Sequence, residues 1–197
     1  MRYDEAHKQK TREKVLQAAA RAIRAEGPDR VGVAGIMAKA GLTHGGFYAH
    51  FESKDDLVAE AIEQMFREGR QHFSAVVAGK PPAQALGDYI DFYLSKPHRD
   101  SPDDGCALPT LCTDLPRLSE RAKAAFGRGY AGLIVWIAAR LEDLGNPDAK
   151  TVASSVVSEM VGGVALARCM PDRERSDALL ESSRKHIRAR LGLDSKG

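Results

Sequence analysis

The chain has little cysteine and no long apolar segment. Its three cysteines are an odd number without export signals, which argues against a disulfide framework and favours a reducing cytoplasm. The longest apolar run, residues 133–139, is far too short to cross a bilayer, and the polar amino end does not resemble a signal peptide. The sequence therefore predicts a cytoplasmic protein that has no membrane partner.

Enzyme motifs are missing as well. The sequence contains no Gly-x-Ser-x-Gly, no phosphate loop, no His-Glu-x-x-His and no dinucleotide glycine fingerprint. His98, Cys106 and Cys112 lack the close paired spacing of zinc ligands. We therefore expect no catalytic residues, no metal and no cofactor.

The alternation of apolar and polar residues that marks β-strands is absent too, and so are internal repeats. Apolar residues recur instead at helical spacing, interrupted by glycine and proline. We expect two short helices within 33–51 and a loop at 96–105. Seven further helices are expected at about 8–26, 53–78, 83–95, 106–113, 117–144, 148–169 and 176–191. The sequence therefore predicts an all-α protein with about nine helices.

Charge is distributed unevenly along the chain, although the net charge is only +2. Residues 1–54 carry ten basic and six acidic side chains, whereas the remainder carries 19 basic and 21 acidic ones. A basic amino end before a mildly acidic body is typical of a protein that presents only its first part to a polyanion. An ordinary solvated run of charge is the alternative.

The stretch Val33–Phe51 predicts a helix, a turn and a second helix. Gly41 can adopt the left-handed conformation that a tight turn requires. Phe47 and Phe51 lie four residues apart, so they share the inner face of the second helix, while Tyr48 falls on the solvent side. A helix-turn-helix of this kind can place its second helix in the major groove of DNA.

From Gly41 to Lys54 the chain reads Gly-Leu-Thr-His-Gly-Gly-Phe-Tyr-Ala-His-Phe-Glu-Ser-Lys. This resembles the signature of the TetR (tetracycline-repressor) family, in which a glycine turn precedes a Ser/Thr cap, small residues, an aromatic pair and Ser-Lys. The resemblance covers roughly residues 8–60, and it implies a DNA-binding domain at 1–53 and a ligand-binding and dimerisation domain at 54–197. Many members carry threonine where this chain has Gly32, so we expect weaker capping of the motif's first helix.

The resemblance implies that the second helix of the motif touches bases and phosphates. A helix amino end also offers free amides and a positive dipole end to phosphate, and Thr43 is expected to cap this one. The predicted DNA contacts are Thr43, His44, Gly45, Gly46, Tyr48, His50 and Lys54. Two glycines cost about 1 kcal/mol each in a helix relative to alanine, which close approach of the backbone to DNA would explain. Simple tolerance of glycine, and packing of His50 at the edge of the domain, are the alternatives.

Family members hold a small-molecule pocket among the helices of the body, and aromatic and methionine side chains suit such a site. The predicted ligand contacts are Met65, Tyr89, Tyr93, Cys106, Phe126, Tyr130, Trp136 and Met160. Ordinary core packing is the alternative for each of them. Cys106, near the start of a short helix, could also act as a thiol sensor for electrophiles or oxidants, or be a buried, inert cysteine.

Small and apolar residues at spacings of three and four in the last two helices suit close helix packing. The resemblance implies a four-helix dimer interface there, and we predict that it includes Val152, Val156, Met160, Gly163, Leu180 and Ile187. Ordinary core packing within one chain is the alternative. A two-fold dimer would place two recognition helices roughly 34–36 Å apart on a near-palindromic operator.

These observations predict a homodimeric regulator that binds double-stranded DNA and responds to a small-molecule effector. We expect a repressor that is released when the effector binds. The alternatives are a helical binding protein or enzyme without specific DNA binding, and a transcriptional activator.

Overall fold

The computed structural model describes residues 2–194, and within that range every regular element is a helix. The α-helices are α1 (Arg2–Glu26), α2 (Val33–Lys39), α3 (Lys54–Val77), α4 (Pro82–Tyr93), α5 (Lys96–Asp100), α6 (Ala107–Leu111), α7 (Glu120–Asp143), α8 (Ala149–Cys169) and α9 (Arg173–Arg190). Three short 3-10 helices lie at His44–Ala49, Pro102–Asp104 and Leu115–Arg117. The all-α prediction is confirmed.

Most helix ends lie where the sequence predicts them. Gly27 has a φ of 84° and follows α1 directly, and its amide binds the carbonyl of Ile23 at 2.9 Å. Such a left-handed glycine satisfies carbonyls that the helix end leaves open. The start of α1 is the larger difference, because the helix begins at Arg2 rather than near Lys8. Its first turns are polar and solvent-exposed from Glu5 onward, so apolar spacing could not reveal them.

The predicted loop at 96–105 is wrong, because α5 and a 3-10 helix occupy most of it. Ser95 caps α5, and its side chain accepts a hydrogen bond from the amide of His98 at 3.2 Å. Pro97 lies in the first turn, where its missing N–H costs nothing. The composition of this segment predicts a loop because it is rich in proline, serine and aspartate. These residues favour turns, but they favour helix starts as well.

The described chain forms two compact units. Unit 1 consists of the residues up to Glu68 together with Cys106–Gly129, and unit 2 consists of Gly69–Gly105 together with the residues from Tyr130 onward. Both α3 and α7 therefore contribute their first part to unit 1 and their second part to unit 2. The functional division at residues 53 and 54 stays a prediction.

The core of unit 1 forms between α1, the helix-turn-helix and the first half of α3. Its fully buried apolar side chains include Val15, Ala19, Ile23, Ile36, Met37, Phe47, Phe51, Leu57 and Ile62. The stripe that α1 shows in the sequence thus packs under the motif. This packing, rather than the short helices themselves, must hold the motif in shape, because helices of six or seven residues are not stable alone.

In unit 2, α8 packs on α9 and α4. The backbone of α8 comes close to its neighbours at Gly163, because a Cβ atom at that position would lie 3.2 Å from Leu94 and 3.5 Å from the Ser183 hydroxyl. By length and composition α8 could also cross a membrane, a test that the core helix of a soluble protein passes equally. Here Val156, Met160 and Val164 are fully buried against the rest of unit 2.

Five of the six predicted dimer contacts need correction. Val156, Met160, Gly163, Leu180 and Ile187 are all buried within the single chain. Side chains that their own unit already covers cannot present a surface to a second copy. Only Val152 keeps partial exposure. The apolar spacing on α8 and α9 thus marks the face on which these helices pack within the chain.

Candidate nucleic-acid interface

The helix-turn-helix has the geometry that its sequence predicts. Gly41 has a φ of 75°, and the amide of Leu42 closes the turn on the carbonyl of Met37 at 2.9 Å. Gly32 occupies the N-cap of α2 and, having no side chain, gives it no side-chain cap. The second helix of the motif, His44–Ala49, is a 3-10 helix.

Thr43 does occupy the N-cap of this second helix, but its side chain makes no capping hydrogen bond. The predicted side-chain cap is therefore wrong. A backbone bond closes the first turn instead, from the Gly46 amide to the Thr43 carbonyl at 3.1 Å. Thr43 itself is exposed.

Two phenylalanines anchor the second helix to unit 1. Phe47 and Phe51 are 1% and 2% exposed, and their rings stack with centroids 5.6 Å apart. The opposite side faces solvent, because Tyr48 is 73% exposed and both His44 and Gly45 are exposed. The Tyr48 ring meets Phe47 edge-on at 5.2 Å, so the aromatic pair links the buried side to the open one.

The two glycines of this helix have no steric need to be glycine. A Cβ atom on Gly45 would meet nothing within 4 Å, and one on Gly46 would make only ordinary contact, 3.7 Å from Met37 Cε. Neither has a positive φ. The fold therefore gives no steric reason for glycine at these positions, which agrees both with close approach of the backbone to DNA and with simple tolerance of glycine.

His50 lies at the carboxyl end of this helix and is only half exposed. Burial lowers the pKa of its imidazole, and the nearby charges of Lys8 and Arg12 lower it further. Its Nδ1 atom is buried and has no hydrogen-bond partner in the described part of the chain. The ring is therefore partly covered at the edge of the domain, which favours the packing alternative.

Lys54 is the first residue of α3, and its Nζ atom donates to the carbonyl of Asp29 at 3.3 Å. The start of α3 is well capped. The Ser53 hydroxyl accepts from the Asp56 amide at 3.1 Å, and the Asp56 carboxylate accepts from the Glu52 amide at 3.0 Å. This is close to a capping box, except that the returning bond reaches Glu52 instead of the cap residue itself.

Sequence reasoning missed the role of Arg12, which it treated only as one of the basic residues of α1. Its guanidinium lies 4.9 Å from the Phe51 ring centroid, donates to the His50 carbonyl at 3.4 Å and pairs with Glu60. These partners lie 38 and 48 residues away in the chain. No local spacing could have indicated them.

The predicted ligand contacts fall into both units. Met65, Cys106 and Phe126 belong to unit 1, whereas Tyr89, Tyr93, Tyr130, Trp136 and Met160 belong to unit 2. In unit 2, Phe73 meets both Tyr89 and Trp136, at centroid distances of 4.0 and 4.5 Å. Met65, Tyr93 and Met160 are fully buried, which favours the core alternative for those three.

Unit 2 also contains an open groove of about 470 Å³, and the predicted ligand residues are absent from its lining. The groove lies between the end of α4, the start of α5 and one side of α9. It is lined by Leu94, Ser95, Lys96, Asp177, Ala178, Leu180, Glu181 and Arg184.

The three cysteines are all at least partly exposed. Cys112 and Cys169 are exposed, and Cys106 is half-buried at the N-cap of α6. None of these three described cysteines is part of a disulfide. Among residues 2–194 the structure holds no group of three or more histidine, cysteine or acidic side chains that could bind a metal ion. The sensor role of Cys106 stays a prediction.

Comparison with known proteins identifies the type of the helix-turn-helix domain. The family model described as bacterial regulatory proteins of the tetR family matches residues 15–61, which contain the helix-turn-helix. Residues 15–61 therefore form a domain of the TetR type. The TetR match ends within the first half of α3, so the predicted DNA contacts from Thr43 to Lys54 lie inside it.

Solved structures share the fold over more than nine tenths of the chain. A TetR regulator from Chloroflexus aurantiacus has a TM-score of 0.81 at 23% identity, covering 95% of this chain and 96% of its own. The reduced form of Escherichia coli NemR has a TM-score of 0.79 at 20% identity, covering 91% and 97%. At these identities the likeness concerns the fold alone.

A curated relative is more similar over a shorter stretch. An uncharacterized HTH-type transcriptional regulator of Bacillus subtilis, YvdT, is 29% identical over 91 residues. This match covers 45% of the present chain and spans about half of the relative, 47% of its length.

Lys54 is predicted to hold a DNA phosphate through its charge, so replacing it should weaken binding to all sequences alike. For Lys54→Ala we expect the slope of log affinity against log salt to flatten by roughly one unit. Titrations of a specific and a random duplex at several salt concentrations measure this. Lys150→Ala, which removes an exposed lysine from α8 in unit 2, is the control and should leave the slope unchanged. An unchanged slope for Lys54→Ala would remove the phosphate contact.

Proposed function

We propose that this protein is a dimeric transcriptional repressor of the TetR family that binds a near-palindromic operator and is released by a small molecule. The observation that supports DNA binding best is the open face of the His44–Ala49 helix. On that face Tyr48, His44 and Gly45 are exposed, while Phe47 and Phe51 fix the opposite side in the core. We therefore call His44–Ala49 the recognition helix.

The chemistry of this face suits a DNA groove. The Tyr48 hydroxyl and the His44 ring can hydrogen-bond to phosphates or base edges, and Gly45 and Gly46 would let the backbone come close to the duplex. Ala49, which is exposed, can offer a methyl contact to thymine. Exposed lysines at 8, 10, 14 and 39 add positive charge to the same unit, which favours a polyanionic partner.

Dimerisation is proposed through the side of α8 that unit 2 leaves open. Leu166 is 58% exposed on this side, and Ser155 and Ser158 are exposed. A Cβ atom on Gly162 would meet nothing within 4 Å, so a second helix could approach there. Equilibrium sedimentation at micromolar concentration tests the proposal, and a monomer under those conditions would contradict it.

Release by an effector is proposed as a shift between two populations. The small molecule would bind a state in which the two recognition helices are spaced wrongly for the operator. This requires a difference in affinity between the two states, because equal affinity shifts nothing. The α3 helix is the natural carrier, since it starts directly after the motif and runs from unit 1 into unit 2.

A gel-shift titration with the DNA that flanks the protein's own gene tests the function. A salt-sensitive, sequence-specific complex is expected. A small hydrophobic effector found by thermal-shift screening should dissociate this complex. Failure to form a specific complex would favour a binding protein or enzyme that merely retains the motif. Reporter expression that falls in a deletion strain, rather than rises, would indicate an activator.

Tyr48→Phe removes one hydroxyl from the proposed contact face and leaves the ring against Phe47. We expect operator affinity to fall by about tenfold, which is the usual effect of losing a hydrogen bond to a charged group. The melting temperature should not change, because the hydroxyl lies in solvent. Tyr130→Phe is the matched control, since its hydroxyl lies 3.4 Å from the Ser154 hydroxyl in unit 2. Equal operator affinity in the wild type and Tyr48→Phe would exclude the phosphate contact.

A further inference from the structure

A network of charged side chains in unit 1 reaches both ends of the segment that follows the recognition helix. It begins at Arg121, in the first turn of α7, which pairs with Asp56 at 2.6 Å and lies 3.9 Å from Glu60. Both acids belong to α3. None of its charged side chains is a predicted DNA contact, and Arg121 lies more than 60 residues from both acids along the chain.

The first branch runs from Arg121 through Asp56. Asp56 is 5% exposed, so its carboxylate depends on the partners that the protein provides. One oxygen faces the Arg121 guanidinium, and the other accepts from the Glu52 amide at 3.0 Å. Glu52 follows the recognition helix by three residues. Arg121 thus neutralises the carboxylate that holds the chain directly after that helix.

The second branch runs through Glu60. Glu60 pairs with Arg12 of α1, and Arg12 donates to the His50 carbonyl at 3.4 Å. His50 is the residue at which the recognition helix ends. The same guanidinium lies over the ring of Phe51, which is one of the two anchors of that helix. Both branches therefore end on backbone groups of residues 50–52.

From this geometry we propose that Arg121 is a positioning residue for the recognition helix. By pairing with Asp56 and Glu60, Arg121 fixes the position of residues 50–52, where the chain leaves that helix. It touches no DNA. This inference rests on the proposed DNA binding, but the position of residues 50–52 can be measured without DNA.

The chain offers a close control in Arg128, seven residues further along α7. Arg128 also pairs with an acid of α3, Glu63, and is exposed to a similar degree, 63% compared with 56% for Arg121. No contact described for Glu63 leads to the recognition helix. Replacing either arginine by glutamine removes one positive charge from α7. Arg121→Gln loses the pairs with Asp56 and Glu60, and Arg128→Gln loses the pair with Glu63.

Operator affinity is the first measurement. For Arg121→Gln we expect about a tenfold loss, within the usual range for coupling between sites, with an unchanged salt slope. Arg128→Gln should change affinity by less than about twofold, as isolated exposed pairs contribute little. Arg121→Lys, which keeps the charge, should restore most of the affinity. A slope reduced by one unit in Arg121→Gln would mean a direct phosphate contact and would overturn the proposal, as would equal losses in the two glutamine variants.

Amide hydrogen exchange in the absence of DNA is the second measurement. In Arg121→Gln the amides of residues 50–52 should exchange faster, while those of the α1 core keep their wild-type rates. Arg128→Gln should leave residues 50–52 unchanged. Unaltered exchange in Arg121→Gln would refute the positioning role. If the wild-type protein fails to bind an operator, the proposed function fails, and the exchange result still decides whether Arg121 holds this segment.

Discussion

Gly129→Ala should destabilise unit 1 by about 3 kcal/mol, the upper part of the usual range for overpacking a core. A Cβ atom at this position would lie 2.2 Å from Phe66 Cδ2 and 2.3 Å from its Cγ. Real atoms do not approach so closely, so α7 or the Phe66 ring must move. The ring has little freedom, because it is 8% exposed and meets Phe126 edge-on at 5.8 Å.

Gly127→Ala is the matched control for this substitution. It lies on the same helix and in the same unit, is exposed, and has open space where the new methyl group would go. Alanine there should stabilise the protein slightly, since it is the better helix former. Urea unfolding followed by circular dichroism measures both variants.

A double-mutant cycle isolates the contact between α7 and α3. In a Phe66→Ala background, which removes the ring, Gly129→Ala should cost no more than Gly127→Ala does in the wild type. If Gly129→Ala remains as costly without the ring, the cause is not the Phe66 contact. A wild-type free energy of unfolding for the single Gly129→Ala variant would contradict the packing described for unit 1.

The difference between Gly41 and Gly129 illustrates what the sequence could reveal. Gly41 stands between two apolar helical segments, and its turn role is readable because the whole requirement, a positive φ, is local. Gly129 lies inside a helix and has no local signature. Its requirement comes from Phe66, which is 63 residues away in the chain. The fold class and most helix ends were therefore predictable, while the close contacts between helices were not.

The candidate site shows the same division. The exposed and buried faces of the recognition helix follow from the spacing of Phe47, Tyr48 and Phe51. The side chains that hold residues 50–52, by contrast, come from distant parts of the chain. Apolar spacing on α8 also correctly indicated a packed face, but it could not tell packing within the chain from packing against a second copy. That distinction depends on where α9 and α4 lie.

The error at 96–105 has a physical cause of the same kind. Arg99 is 4% exposed, and its guanidinium binds Asp177 at 2.6 Å and the Ser176 hydroxyl at 2.7 Å, both on α9. Arg168 of α8 donates to the carbonyls of His98 and Arg99 at 3.0 and 3.1 Å. These bonds from distant helices satisfy the end of α5, so a segment with the composition of a loop is held as a helix.

His98, within that segment, should make the stability of unit 2 depend strongly on pH. It is 6% exposed, and its Nδ1 atom lies 2.7 Å from the Tyr93 carbonyl, which requires that the neutral ring carries its proton there. Burial lowers the pKa of His98 to about 4, with Arg168 and His72 adding to the effect and the Tyr93 bond opposing it. The unfolded chain takes up a proton near pH 6.5, whereas the folded chain does so only near pH 4.

Stability is therefore lost as the pH falls from about 6.5 to about 4, because the unfolded state binds the extra proton throughout that window. The expected loss is about 3 kcal/mol. It is separate from the loss due to Asp100, whose pKa Arg99 lowers to about 2. A carboxylate with a lowered pKa loses its contribution to folding stability only at more acidic pH, below the ordinary pKa of aspartate.

Urea unfolding between pH 7 and pH 4, followed by the fluorescence of Trp136, measures this effect. Trp136 is the single tryptophan of the chain and lies in the same unit as His98. His98→Gln can still donate to the Tyr93 carbonyl but cannot take up a proton, so its stability should stay nearly constant across this window. His186→Gln, at an exposed position on α9, should keep the wild-type slope. A His98→Gln variant that loses stability as steeply as the wild type would show that another group titrates, and that the buried neutral histidine is not the cause.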